Sequence, residues 1–114
     1  MAERHEPFEK EEMKLKDLTH IPKEVRESVY ERDSYDGCPC CVWCGKPKYV
    51  QVHHYIERSR GGLGIEENLV CLCSECHTAL HKGNWQIEEY VRIYLSEHYE
   101  GWDEKSLMAK KGTL

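Results

Sequence analysis

Four of the seven histidines stand as His53-His54 and as His77-x3-His81, with Asn68 between the two groups. On a helix, positions i and i+4 share a face, so His77 and His81 can present two imidazoles to one ion. On a strand, adjacent residues point to opposite faces, so His53 and His54 cannot share one ligand shell. One binds and the other does something else. Packing the strand end that carries His53 onto the short helix gives a three-histidine metal site with open positions, which suits catalysis. The alternative is that His77, beside Cys76, serves as a structural ligand in place of a cysteine.

The cysteines form a second constellation. Cys41-Val-Trp-Cys44 and Cys73-Ser-Glu-Cys76 are two Cys-x2-Cys pairs separated by 28 residues. Two such knuckles complete a closed tetrahedral zinc site with Zn–S distances of ~2.3 Å, structural and without an open position. Cys38 with Cys41 offers a competing pair; Gly45, directly after Cys44, favours Cys41 with Cys44 because the knuckle needs a tight reversal. Cys38, Cys40 and Cys71 are then spectators, Cys71 pointing from a strand into the core as a small hydrophobe.

The composition asks for such a staple. In 114 residues, hydrophobic residues make up 39% and charged residues 32%, with a single Phe and a mean hydropathy of −0.76, so the core is thin for one domain. Structural zinc contributes on the order of ten kcal/mol of apparent binding energy to folding. The N-terminal MAERHEPFEKEEMKLKD has no apolar run of the signal-peptide kind, so the expected compartment is reducing and cytoplasmic, with the thiols free for metal. No stretch approaches the ~18 apolar residues that span a bilayer, and no membrane partner is expected. The net charge of −5 argues against a binder held by basic charge alone. Residues 1–40 hold 11 acids and 7 bases, residues 41–84 hold 4 and 5, and residues 85–114 hold 6 and 4, so only the middle segment is not acidic.

The elements that must position these residues follow from pattern. Residues 1–20 read as a charged arm, a frayed segment or loosely docked helix. A helix is expected from Pro22 to Arg32, capped by Thr19 or His20, with Ile21, Val25, Val29 and Tyr30 facing the core. Asp33–Lys48 reads as a turn-rich knuckle without regular structure. Tyr49–Tyr55 and Leu69–Leu72 read as strands, joined by a loop whose three glycines are expected at positive φ. Ser74–His81 reads as a short helix. Asn84 caps a last helix over 85–99 with Trp85, Ile87, Val91, Tyr94 and Leu95 on its apolar face and Gly101 as its stop; core packing is favoured over a dimer face for it. Residues 101–114 read as a tail.

The run HHYIERSRGGLGIEENLVCLCSECHTALH, with the helix and ERD segment and the CVWCG knuckle before it, resembles the HNH endonuclease motif of the ββα-metal nuclease superfamily, in particular its small zinc-stapled phage and prophage members. The resemblance implies an α+β fold with a ββα-metal core over about 49–82, stapled by the four cysteines and flanked by N- and C-terminal helices within a domain of 21–100. It implies that His54 is the general base, that His53, His77 and His81 hold the catalytic metal, and that Asn68 braces the loop or binds the metal. With His rather than Asp at 53, bracing is favoured.

The chemistry is consistent with that assignment. Phosphodiester hydrolysis needs an activated water and stabilised charge, and neutral imidazoles leave a divalent ion its charge to meet the phosphate. Mg2+, Mn2+, Ni2+, Co2+ and Zn2+ are the candidates. Arg58 and Arg60 are candidates for phosphate contact. The expected function is a DNA endonuclease of low intrinsic sequence specificity. By resemblance it would act in phage DNA processing beside terminase or other packaging proteins, in the host cytoplasm. The rival is a zinc-stabilised DNA- or protein-binding module without cleavage.

Overall fold

The computed structural model describes residues 15–109, with backbone alone at 15 and 16; the expectations for 1–14 and 110–114 lie outside the described residues. The chain runs α1 (Leu15–Thr19), α2 (Lys23–Arg32), β1 (Ser34–Tyr35), β2 (Cys38–Pro39), β3 (Val50–His54), β4 (Leu69–Cys73), α3 (Ser74–His81) and α4 (Trp85–His98), with short 3-10 turns at Arg58–Arg60, Glu66–Asn68 and Glu104–Leu107. Among the described residues no helix is long and apolar enough to cross a membrane.

The antiparallel pair of β3 and β4 organises everything else. Its register sets Val52 opposite Cys71, His53 opposite Val70 and His54 opposite Leu69. All five residues of β4 are buried because both faces of the pair are covered. On one face Leu69, Cys71 and Val52 pack with Ile21 and Val29, and Val25 and Tyr30 lie against them. On the other, Val70 and Leu72 pack with Cys41, Cys73, Cys76 and the α4 residues Ile87, Val91 and Leu95. The core is therefore two small clusters, one of which contains three of the four zinc-ligand candidates. The last helix does pack on the core, as expected, except that Trp85 is 68% exposed. Asn84 caps it, Oδ1 accepting from the N–H groups of Gln86 and Ile87.

Three local expectations need correction. The cap before α2 is Pro22 in extended conformation with no side-chain cap bond, rather than Thr19 or His20. The knuckle segment contains a minimal hairpin, Ser34–Tyr35 against Cys38–Pro39, turned by Asp36 and Gly37, both at positive φ; Asp-Gly at such a turn is the strongest short hairpin signal. In the loop after β3 only Gly61 has positive φ. Gly62 and Gly64 are required instead by close approach, since a Cβ would lie 1.7 Å from the Ile56 carbonyl oxygen and 2.0 Å from that of His20.

The segments at either end close over this loop. Gly64 N–H donates to the Leu18 carbonyl, Leu63 N–H to that of Leu107, and Ala109 N–H to that of Gly61. Thr19 and Leu107 are buried.

A buried charge pair joins the layers. Asp33 accepts from Arg32 Nε (2.7 Å) and Nη2 (2.9 Å), from the Cys71 N–H (2.9 Å) and from the Tyr94 hydroxyl. Arg32 also donates to the carbonyls of Glu66 and Leu69 and to the Tyr99 hydroxyl. Asp33→Ala is expected to destabilise the fold by ~3–5 kcal/mol, because it leaves the Arg32 guanidinium buried without its counter-charge. Urea unfolding measures this, and a midpoint shift worth less than ~1 kcal/mol would show the network to be dispensable.

Candidate active site

Strand alternation sends the two adjacent histidines to different partners. His53, on the α4 side of the sheet with Val70, stacks on His77 of α3, with ring centroids 3.5 Å apart and planes 17° from parallel. One turn on, His81 brings its Nε2 to 2.9 Å from His77 Nε2. His54, on the α2 side, sets its Nε2 2.9 Å from the backbone carbonyl oxygen of Thr19. A carbonyl can only accept, so that bond puts the proton of neutral His54 on Nε2 and leaves the Nδ1 lone pair free.

These rings share a cleft of about 400 Å³ with Arg26, Glu57 and Arg58. Burial, aided by the charges of Arg58 and Arg26, holds His54 below the usual imidazole range against the Thr19 bond. Burial and the neighbouring histidines bring His53 down to about 4, and burial with His81 lowers His77 as well. Neutral imidazole is the form that ligates metal. The Nε2 atoms of His77 and His81 are also separated by about the ~3.0–3.4 Å expected of two ligands on one ion at ~2.1 Å. His77 and His81 thus stand at a spacing that suits two ligands of one cation, while His53 lies face to face on His77, so the three rings meet pairwise rather than around one point.

Asn68 is fully buried. Its Oδ1 accepts from the Ile56 N–H (2.8 Å), and its Nδ2 donates to the carbonyls of Ile56 (3.2 Å) and Leu63 (2.9 Å). Both ends of the amide are thereby tied to the loop that carries Arg58 and Arg60. Arg58 enters the cleft, and its Nε donates to Thr19 Oγ1 at 3.2 Å. Arg60 does not line that cleft but an adjoining hollow that shares His54, Glu57, His77 and His81 with it.

The four cysteine sulfurs of Cys41, Cys44, Cys73 and Cys76 all lie within 4.8 Å of one another, and no other trio of His, Cys, Asp or Glu ligand atoms among the described residues converges as tightly. The Cys44 and Cys73 sulfurs are 3.7 Å apart, the edge of a tetrahedron with ~2.3 Å metal–sulfur bonds. The knuckles are backbone-built: Gly45 N–H donates to the Cys41 carbonyl and Cys76 N–H to Cys73 Sγ. Burial opposes charge at Cys41, yet the N–H groups of Cys44, Cys73 and Trp43 outweigh it and bring that thiol to about 7. Burial and the other three sulfurs push Cys76 up, a penalty that a cation among them reverses. Cys38 is exposed on β2 and Cys71 is buried under α2. This cluster can hold a metal ion.

The sequence model described as HNH endonuclease matches residues 38–83, the segment that carries both constellations. Anaredoxin from a Nostoc species is 31% identical over 67 residues, 59% of this chain and 88% of that protein. This chain belongs to the HNH endonuclease family. The type IV methyl-directed restriction enzyme EcoKMcrA of Escherichia coli is 38% identical over 52 residues, 46% of this chain and 18% of that enzyme. The structure of the type IV phosphorothioation-dependent restriction endonuclease ScoMcrA superposes with a TM-score of 0.52 at 20% identity, over 80% of this chain and 23% of that one, and so shares the fold. The chain spans about a fifth of the length of either restriction enzyme.

Two groups that complete the HNH cleft lie outside the matched segment. Thr19, in the charged arm, supplies its carbonyl to His54, and no side-chain type could signal that role. Arg26 reaches the cleft from α2, where it reads as one more helical charge. Glu57 was the legible omission, a carboxylate three residues from His54 in a motif full of imidazoles.

Proposed function

We propose that this chain is a metal-dependent DNA endonuclease with little sequence specificity of its own, in which His54 is the general base. The observation that carries this reading is the Thr19 carbonyl bond, which fixes the His54 tautomer inside the same cleft as His53, His77 and His81. His53, His77 and His81 hold one divalent ion, and a bound ion supplies Lewis acidity to the scissile phosphate and charge neutralisation near the leaving oxygen. His54 Nδ1 takes the proton of the attacking water while Nε2–H keeps the ring aligned on Thr19. Arg58, braced by the Thr19 hydroxyl, and Arg26 meet phosphate oxygens. Asn68 holds the loop that delivers Arg58. Cys41, Cys44, Cys73 and Cys76 hold structural zinc. With so few bases, DNA binding is weak and falls steeply with salt. A setting in phage DNA packaging beside terminase rests on the sequence resemblance alone.

Supercoiled plasmid incubated with zinc-loaded protein and Mg2+, Mn2+, Co2+, Ni2+ or Zn2+ is expected to yield nicked or linear product with at least one ion and none with chelator. Absence of product with every ion would move the reading to a zinc-stabilised binding module.

A further inference from the structure

Glu57 has no role in the reading above, yet its placement is specific. It follows β3 in extended conformation, at the N-terminal boundary of the Arg58–Arg60 turn. Its carbonyl oxygen accepts from the N–H groups of Arg60 (2.9 Å) and Gly62 (3.0 Å), so its backbone is pinned. The side chain is half-exposed, and Oε2 lies 3.4 Å from His81 Nδ1. Of the flanking guanidiniums, that of Arg58 donates to Thr19, and Arg60 lines with Glu57 and His81 the adjoining hollow.

His81 therefore has a partner at each ring nitrogen: Glu57 at Nδ1 and His77 Nε2 at 2.9 Å from Nε2. A neutral imidazole carries one proton. Glu57 Oε2 stands within ion-pair reach of Nδ1, and a carboxylate, which accepts and cannot donate, favours the proton there and turns the Nε2 lone pair towards His77. We infer that Glu57 is a positioning residue that holds His81 as its Nδ1–H tautomer, so that Nε2 is the atom offered to a divalent cation shared with His77 and His53. This rests on the reading of those three histidines as the catalytic metal site. Outer carboxylates of this kind orient ligating histidines and raise their basicity, and their loss costs ~10–100-fold in metal affinity.

The test uses the zinc-loaded 114-residue chain with two readouts. Long-range proton–nitrogen NMR spectra report the His81 tautomer before any second ion is added. Calorimetric titration with Ni2+ then reports affinity at the second site for wild type, Glu57→Ala, Glu57→Gln and His81→Ala. Wild-type His81 is expected in the Nδ1–H form, and Glu57→Ala is expected to shift it towards a mixture and weaken Ni2+ at least tenfold. Glu57→Gln, whose amide oxygen still accepts from Nδ1–H, is expected to recover most of both. His81→Ala should lose Ni2+ binding. If His81→Ala loses Ni2+ while Glu57→Ala binds as wild type with the tautomer unchanged, the inference about Glu57 fails and the metal site stands. If Glu57→Gln behaves as Glu57→Ala, Glu57 acts by charge or direct ligation and the positioning role is overturned. No Ni2+ bound by wild type, or undiminished binding by His81→Ala, would overturn the site reading and the inference with it.

Discussion

His54→Ala is expected to lower plasmid cleavage by ~10²–10⁴-fold, the range over which a positioned general base acts, while zinc content, second-site Ni2+ affinity and thermal transition stay at wild-type values. The separation of these readouts comes from the strand. His54 lies on the α2 face of the β3–β4 pair, opposite Leu69, whereas His53 lies on the other face, opposite Val70 and against His77. Removing the His54 ring therefore takes nothing from the pairwise contacts of His53, His77 and His81. What it removes is a half-buried base whose Nδ1 is kept free by the Thr19 carbonyl. Cleavage within tenfold of wild type would exclude His54 as the base. Loss of Ni2+ binding together with cleavage would make it a ligand instead.

Much of this site was legible because the relevant periods are rigid. A strand period of two separates His53 from His54 whatever surrounds them, and a helical i,i+4 step brings His77 to His81. The Asn84 cap and the Ser74–His81 helix follow from equally local rules. What escaped is nonlocal or carried by backbone. The Thr19 carbonyl acts on a residue 35 positions away, and a carbonyl has no residue type to read. Asp33, beside Arg32, also draws in Cys71 and Tyr94, contacts that exist only after β4 and α4 have docked on α2. The Asp36-Gly37 hairpin was local and readable, and was masked by the cysteines that follow it. Trp85 shows the opposite failure: two positions before Ile87 it lies off the face that Ile87, Val91 and Leu95 share at i, i+4 and i+8, and its ring stays in water.

Cys41→Ser is expected to abolish zinc binding and the cooperative thermal transition together. Cys41, Cys73 and Cys76 are buried in the same cluster as Val70, Leu72, Ile87, Val91 and Leu95, so the metal and the apolar contacts of α4 form one unit. Structural zinc contributes on the order of ten kcal/mol, as large as the ~5–15 kcal/mol by which a domain is stable. With one ligand lost, the remaining thiols lie in a core too thin to hold itself. The effect is specific to the four: Cys38→Ser and Cys40→Ser, on and just after the exposed hairpin, are expected to keep both zinc and transition. His77→Ala separates the two metals, since it should retain zinc at the thiols and lose Ni2+ at the histidines; loss of zinc there would make His77 a structural ligand. An unchanged transition in Cys41→Ser would mean that packing alone holds α4 on β4, and that the cysteine cluster serves something other than the fold.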